Sequence, residues 1–470
     1  MVIKNSMEIG KIRIEGIKVD LVENIKIQAA INQHARLDMV CLIQKEQIQE
    51  CVKLPLRESV VSVWEQDTEL FCGTVTEAVC RTKKDGTRLY VTLLNGSYLL
   101  DRDRKSKSYQ NTAMTYQELA QDKALTVYDG PYRAIGHVII QYKETDWEFL
   151  IRMASQMHTG VYADMRQRKC VIYWGITDMD SVNQTQITEY SVEKDIDYYK
   201  QCEQNTNENC TMADSVVYEF ESTELFRVGD TVMIGTQKVH IIEMHCEMDQ
   251  AAFRGVYKAK SKAGICYLTQ FREDMPGTAL EGKIIDVSED KVKVHLSIDK
   301  EQKKDNAYWF PFSAMEASSD GSGWYYMPEI GDQVKVCIPS WEEKDAFAVS
   351  AVSTYENADS ATDMMADTNV KYMRNPSGKQ MQLTPSQIKA DAGAGNALLT
   401  MDTEGNIILQ AKQMVSLEAS EMIELTAGDT LDINASKTLN IKADMTGEIM
   451  MNEEGELQHL GGHVNINSEE

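Results

Sequence analysis

Near the end of the 470-residue chain, apolar and polar residues alternate within a repeat of eight residues. From Asn406 the sequence divides into NIILQAKQ, MVSLEASE, MIELTAGD, TLDINASK and TLNIKADM, and position 6 of every block is alanine. Apolar residues at positions 2, 4 and 6 are typical of a β-strand with one apolar face. The apolar positions, which we predict to form the core of a needle, are Ile407, Leu409, Ala411, Val415, Leu417, Ala419, Ile423, Leu425, Ala427, Leu431, Ile433, Ala435, Leu439, Ile441 and Ala443.

One chain cannot bury the apolar face that this repeat creates. Each block is long enough for one strand and a turn, and repeats of this kind need neighbours to cover their apolar side. Three chains around a common axis would form three walls, with the small alanines where the walls converge. We therefore predict that residues 386–470 form an intertwined triple-stranded β-helix in a homotrimer. The alternative is a single-layer meander of hairpins, for which stronger Asn-Gly or Gly-Gly turns would be expected.

The first part of the chain alternates as strands do, with a helical interruption. Strand-like runs occupy residues 10–100 and 165–265. Between them, the apolar residues of 147–154 follow helical spacing, and Thr145 with Glu148 has the spacing of a capping box. This region is therefore predicted to hold two β regions that flank helices.

A further β pattern covers residues 275–355. Residues 282–287 and 291–296 are spaced as a hairpin, and later runs such as 333–338 continue the pattern without an evident helix. About five strands in roughly 80 residues favour a small barrel of the OB type. The stretch 356–385, between this barrel and the repeat, is predicted to be a linker.

The composition of the chain disfavours several classes of function and says less about the fold. The chain carries 48 Lys and Arg against 73 Asp and Glu, a formal net charge of −25. Nucleic-acid binding is disfavoured, because duplex affinity depends on basic side chains that neutralise phosphates. No apolar run approaches the roughly 20 residues that span a bilayer, and the start lacks the apolar segment of a secretory signal. We expect a protein assembled in the cytoplasm without a signal peptide, with its ten cysteines reduced.

The sequence contains only weak matches to motifs for catalysis or for phosphate binding. Residues 277–283 read GTALEGK, most of a phosphate-binding loop, but Ile284 stands where a magnesium-binding Ser or Thr is needed and a strand follows. Glu243 and His245 do not form an HExxH motif, and residues 320–323 do not form a nucleophile elbow. We predict no catalytic residue, no enzymatic activity and no cofactor.

Three longer stretches carry a recognisable pattern. The first is GSYLLD at 96–101, continued by RKSKSYQ at 104–110; the second is a QYxETDWEFLxR pattern that begins at Gln141; the third is WYYMPEIGDQV at 324–334, followed by EKDA at 343–346. In these stretches the chain resembles the VgrG family of type VI secretion and the hub and spike proteins of contractile phage tails. The second is distinctive of the hub, and the third is similar to the family's OB signature.

The resemblance implies a mainly β protein with a hub of two β-barrels and intervening helices over 1–270, an OB-fold barrel and a C-terminal needle. Three chains would then place six barrels against a hexameric tail tube of the Hcp type. The resemblance also implies baseplate proteins, a PAAR-like tip protein and effector cargo as partners. The expected function is a trimeric spike that is expelled on contraction and pierces the target envelope.

The chain departs from parts of the family pattern. Only residues 353–384 separate the OB region from the repeat, too few for the lysozyme domain of some phage spikes, and no toxin follows before Glu470. The repeat also lacks the Val-Gly units that name the family. An alternative function is a phage-type tail protein whose β-helix binds or cleaves surface glycan, for which paired carboxylates in a groove would be expected.

His459 and His463 are weak candidates for a metal site. If the eight-residue register persists, His459 occupies position 6, and three symmetry-related imidazoles would face the threefold axis. His459 and His463 are separated by three residues, whereas the iron-binding tips of some phage spikes use a His-x-His pair. A packed or exposed histidine pair is the simpler interpretation, and we predict no metal.

Overall fold

The computed structural model describes residues 9–53, 55–56, 58–177, 185–194, 196, 199–200, 211, 215–248, 253–315, 325–352, 365–443 and 447–463. The chain divides into two compact units, Met1–Ser353 and Thr354–Glu470. Both are built mainly from β-strands, which confirms the predicted fold class. Among the described residues, no helix has the length and apolar character needed to cross a membrane.

The hub part of the first unit precedes the small barrel and contains short helices among many strands. In chain order its elements are β1 (Ile12–Glu15), β2 (Leu21–Ala30), β3 (Arg36–Ile43), α1 (Ile48–Val52), β4 (Val60–Glu65), β5 (Thr68–Lys83), β6 (Gly86–Asn95), β7 (Lys105–Tyr109), α2 (Tyr116–Lys123), β8 (Leu125–Tyr128), β9 (Ile139–Glu144), α3 (Asp146–Ser155), β10 (Val161–Ala163), β11 (Val171–Trp174), β12 (Gln186–Ile187), β13 (Ser191–Lys194), β14 (Val216–Ser222), β15 (Thr231–Ile234), β16 (Gln237–Met248) and β17 (Phe253–Lys260). Short 3₁₀ helices lie at Ile9–Lys11, Lys45–Gln47 and Gly96–Asp101.

The two β regions of the hub join in one twelve-stranded sheet. Its order is β1-β4-β5-β6-β3-β2-β16-β17-β14-β13, with β15 beside β16 and β12 beside β15. The junction is the antiparallel pairing of β2 with β16, from Ala30 opposite Glu243 to Ile25 opposite Met248. Buried side chains of both halves, including that of Ile25, share a single core. The regions predicted separately at 10–100 and 165–265 therefore fold as one body.

Helix α3 begins where the sequence predicts it. The Thr145 hydroxyl accepts a hydrogen bond from the Glu148 amide at 3.1 Å, and the Glu148 carboxylate accepts one from the Thr145 amide at 3.0 Å. This capping box satisfies amides that the first turn leaves without helical partners. Trp147, Phe149 and Leu150 are buried in a second core that also includes residues of α2. The helix prediction is confirmed.

Five strands follow the hub: β18 (Thr278–Ser288), β19 (Lys291–Leu296), β20 (Trp309–Pro311), β21 (Gln333–Ile338) and β22 (Phe347–Ser350). They form a sheet in the order β20-β19-β18-β21-β22. The predicted hairpin is confirmed, with Ser288 opposite Lys291 across a two-residue turn. Alternate residues of these strands point into a buried core that includes Ile284, Val294 and Phe310.

A buried arginine links the hub to the small barrel. Arg152 on α3 donates to both carboxylate oxygens of Glu144 at 3.0 Å and to Glu343 of the barrel at 2.8 Å. All three side chains are buried. Val138 and Ile140 of the hub also pack into the core of the barrel. The barrel therefore belongs to the same compact unit as the hub.

The second unit begins with a five-stranded antiparallel meander. Its strands are β23 (Lys371–Arg374), β24 (Gln380–Leu383), β25 (Gln387–Asp391), β26 (Ala397–Asp402) and β27 (Ile407–Ala411), paired in sequence order. A second sheet follows, formed by β28 (Leu439–Ala443), β29 (Gly447–Met451) and β30 (Leu457–Leu460). Residues 371–383 thus form strands where the sequence predicted a linker, because their alternating side chains and the turn between them suit a hairpin.

Three hairpin turns in the described part of this unit use a side-chain oxygen rather than an Asn-Gly pair. Asn375, Asp402 and Asn452 each accept a hydrogen bond at 2.9–3.0 Å from the amide four residues further on. A glycine three residues after each of them has positive φ, which costs glycine little because it has no Cβ. The first of these turns, at Asn375, lies in the stretch 356–385 that was predicted to be a linker.

The Arg152 network yields a stability prediction. We expect Arg152→Ala to lower the free energy of unfolding by about 3–5 kcal/mol, because it leaves two buried carboxylates without a counter-charge. Thermal and urea unfolding of the full chain would measure the change. Arg104→Ala is the matched control, since Arg104 pairs with Glu148 on the surface and should cost less than about 1 kcal/mol. Equal losses in the two variants would contradict the assignment.

Candidate functional site

The central part of the eight-residue repeat has no strand partner within the chain. Its first block lies in β27 and its fifth in β28, whereas residues 414–437 are assigned to no strand. Bends recur at positions 7 and 8 of successive blocks, at 412–413, 420–421, 428–429 and 436–437. From 413 to 437, all of which the structure describes, no backbone hydrogen bond reaches another part of the chain. This segment is called the octad segment below.

The predicted needle-core side chains are exposed in the single chain. Ile407, Leu409, Val415, Leu417, Ile423, Leu425, Leu431, Ile433 and Ile441 are each 49–74% exposed. Leu439 is half-buried, and Ala411, Ala419, Ala427 and Ala435 are exposed. A contiguous apolar stripe of this length is unusual on a monomeric protein and marks an interaction surface. The unpaired backbone beside it is a template for another strand.

The sequence that resembles a phosphate-binding loop lies mostly in β18. Gly282 is buried, and a Cβ placed there would lie 2.4 Å from Cγ1 of Val294 and 2.8 Å from the carbonyl oxygen of His295. Lys283 is exposed on the opposite side of the strand. The glycine is therefore needed for close packing of β18 on β19, and no helix N-terminus follows it to hold a phosphate.

The remaining candidates for chemistry lie apart from one another. Glu243 and His245, both on β16, are joined by a 2.7 Å hydrogen bond at the surface, and Glu243 also pairs with Lys258. Residues 320–323 lie outside the described residues. His459 is exposed on β30, opposite Ile449, and His463 is exposed just after that strand.

The cysteines in the described part of the chain form no disulfide bond. Burial raises the pKa of Cys41, Cys170 and Cys246 to about 12, so these thiols stay protonated at neutral pH. Cys202 and Cys210 lie outside the described residues. The eight that are described act as small buried or half-buried side chains.

A histidine network that the sequence did not predict connects the hub sheet to α3. Nδ1 of His34 lies 2.7 Å from Oγ of Ser97, and Nε2 lies 3.1 Å from a carboxylate oxygen of Asp101. Asp101 also accepts a 2.6 Å hydrogen bond from the hydroxyl of Thr145, and the His34 ring packs on Trp147. Ser, His and Asp are the residues of a hydrolase triad, but Ser97 has no exposed surface that a substrate could reach. The network therefore positions the cap of α3.

The sequence motifs contain some of the residues of this network. Ser97 and Asp101 lie in the GSYLLD stretch, and Thr145 and Trp147 lie in the QYxETDWEFLxR stretch. His34 stands alone in the sequence between β2 and β3, more than 60 residues from its partners. Its role follows only from the pairing of strands.

Residues 280–352 match a protein family described as the type VI secretion system and phage-baseplate injector OB domain. This match covers nearly all of β18–β22. Among solved structures, the E. coli c3393 protein aligns with a TM-score of 0.52 at 14% identity, over 72% of this chain and 99% of that one. It is described as a component of the type VI secretion system with structural similarity to the T4 tail proteins gp27 and gp5.

Two looser likenesses concern similar assemblies. A chain of the Francisella PdpA-VgrG complex has a TM-score of 0.49 at 10% identity, over 85% of this chain and 87% of that one. The 43 kDa tail protein of prophage MuSo2 from Shewanella oneidensis has a TM-score of 0.44 at 12% identity, over 55% and 99%. Among curated proteins, none matches the sequence.

The OB domain and the hub fold agree with what the sequence motifs indicated. The resemblance to the hub-and-spike proteins of type VI secretion and contractile phage tails is confirmed. The chain combines a hub of that fold with an injector OB domain, which supports a structural component of such a baseplate.

The packing of Gly282 predicts a change in the stability of the OB domain. We expect Gly282→Ala to lower its free energy of unfolding by about 1–3 kcal/mol, because the added methyl group overpacks the strand pair. Lys283→Ala, at the adjacent exposed position, should change it by less than about 0.5 kcal/mol. Thermal unfolding would measure both. A larger loss in the lysine variant than in the glycine variant would contradict the packing role of Gly282.

The buried histidines predict a pH dependence. Burial lowers the pKa of His34, against the opposing effect of Asp101, and burial likewise lowers that of His137. Because each folded-state pKa lies below the ordinary value of 6.5, their contribution to stability is present above that pH and lost as pH falls through the folded-state pKa. His34→Gln should therefore reduce the fall in melting temperature between about pH 7 and pH 5. His463→Gln, an exposed control, should retain the slope of the unmodified protein, and an unchanged slope in His34→Gln would refute the assignment.

Proposed function

We propose that this protein is the trimeric hub and spike of a contractile injection system. The observation that carries the proposal is the octad segment, which combines an exposed apolar stripe with a backbone that pairs with nothing in its own chain. Identical segments of two other chains would satisfy both needs. The apolar stripes would then meet at a common axis, and the strand edges would pair between chains.

The regular bends support winding rather than a flat sheet. They recur every eight residues at positions 7 and 8, so each block supplies six residues between one bend and the next. In a three-chain prism, each bend would carry the chain around a corner from one wall to the next. Alanine at position 6 would lie beside each corner, where little space remains. The hairpin alternative would require pairing between neighbouring blocks. The fifth block does pair with the residues that follow it, through β28 and β29, but 414–437 show no such pairing.

The first unit would act as an adaptor. Three copies of the hub, each with two β regions joined in one sheet, would present six similar surfaces to a hexameric tube of the Hcp type. Baseplate proteins would surround this hub, and a PAAR-like protein and effector cargo would be carried at the needle. The proposed role is mechanical: contraction would expel the spike, and the needle would pierce the target envelope.

Mass and matched substitutions test the trimer. Light scattering behind size exclusion should give three times the 53.1 kDa chain mass, with elongated particles in negative stain. Leu425→Asp should prevent assembly, because it places three carboxylates at the axis. Thr426→Asp, one residue further on and outward-facing in the needle, should leave the trimer intact.

Leu425→Asp and Thr426→Asp distinguish the proposed trimer from a protein that functions as a monomer. Both side chains are exposed in the single chain, so a functional monomer would tolerate both alike. A monomeric mass for the unmodified protein would refute the spike. In cells that build the injection apparatus, Leu425→Asp should also abolish release of the tube protein into the medium, whereas Thr426→Asp should preserve it.

A further inference from the structure

The meander β23–β27 is a single layer with two unlike faces. Residues opposite one another in register lie on the same face. Following the register from β23 to β27, one face carries Lys371 and Met373, then Met381 and Leu383, Ile388 and Ala390, Ala397, Leu399 and Met401, and finally Ile407, Leu409 and Ala411. Lys371 is the one polar residue of this set, which is called the meander face below. The opposite face is mostly polar.

The meander face is more open to solvent than the polar face. Met373, Met381 and Leu383 are 44–45% exposed, whereas Gln380 and Gln382 on the other side of the same strands are half-buried. A sheet that is stable in one chain shows the reverse, with its apolar side covered. None of the hydrophobic cores formed by the described residues includes a residue of this second unit.

Strand β27 joins the meander face to the stripe of the octad segment. Its residues Ile407, Leu409 and Ala411 are the last row of the meander face and also positions 2, 4 and 6 of the first block. The same surface thus continues from one element into the other. A partner that covers the octad stripe therefore lies at the edge of the meander face, and this face contains no carboxylate that would select a basic partner.

We propose that the meander faces of three copies of this chain pack against one another and form the base of the needle. The inference rests on the proposed trimer and deepens it, because the buried core of the trimer then begins at Met373 instead of Ile407. The polar face, with its glutamine and lysine side chains, becomes the outer surface of the base.

This base has a consequence for assembly. The meander strands pair with their neighbours in the same chain, so the sheet requires only short-range contacts. The octad segment requires pairing between chains, which is slower because the chains must first meet in register. Three meander faces packed together would bring the three copies of β27 side by side. They would therefore set the register from which the octads wind.

Photo-crosslinking at matched positions tests which face is buried between chains. In full-length protein, p-benzoylphenylalanine in place of Met381 should yield crosslinked dimers and trimers. The same group in place of Gln382, on the opposite face of the same strand, should yield monomers. A third variant carries p-benzoylphenylalanine in place of Leu425. Its crosslinks show independently whether the octad segments of different chains are in contact.

Oxidation of the unmodified protein provides a second measurement. In the single chain, Met373, Met381 and Met401 of the meander face are 38–44% exposed, and Met414 and Met422 of the octads are 72–77% exposed. All five would react with peroxide if the chain stood alone. In the proposed assembly the first three should react several-fold more slowly than the two at octad position 1, as mass spectrometry of peptides would show.

The outcomes distinguish this inference from the proposed function. Crosslinks at the Met381 position and protected meander methionines support the base. Crosslinks at the Leu425 position alone, with a trimeric mass and rapid oxidation of Met373 and Met381, overturn the base and leave the needle standing. A monomeric mass without crosslinks at either position overturns both. Crosslinks from the Gln382 position but not from Met381 would mean that the polar face is the interface.

Discussion

A long apolar face exposed to water beside an unpaired strand edge is a site for association, because a partner can cover the apolar surface and pair with the edge. Both conditions occur together in the octad segment, and the exposed apolar face extends back through the meander. In the part of the second unit that the structure describes, no hydrophobic core covers this face. The proposed trimer, its needle and its base all rest on these two features of the single chain.

The first unit pairs its strands and buries its apolar cores within a single chain. Its described strands pair within sheets of their own chain, α2 and α3 begin with capping boxes, and its apolar side chains form three buried cores. The ion pairs of Arg152 tie the OB domain to the hub where solvent cannot compete for them. The hub and barrel thus form one compact unit, whereas none of these cores includes a residue of the second unit.

The motifs that carried the family resemblance supply residues that join parts of the first unit. The second stretch ends at Arg152, and the third is followed by Glu343, and these two side chains form a buried ion pair at 2.8 Å. The first stretch supplies Ser97 and Asp101 to the network that positions the cap of α3.

The sequence by itself determined the features that depend on near neighbours along the chain. The period of the octads, the capping box of α3 and the hairpin of the OB domain each require only residues a few positions apart, so periodicity and cap chemistry predicted them. Tertiary structure decided the joining of β2 to β16, the contacts of His34 and Arg152, and the single apolar face shared by β23–β27. Those features depend on strand register and on residues up to about 200 positions apart, which local patterns cannot specify because the same alternation is compatible with many pairings.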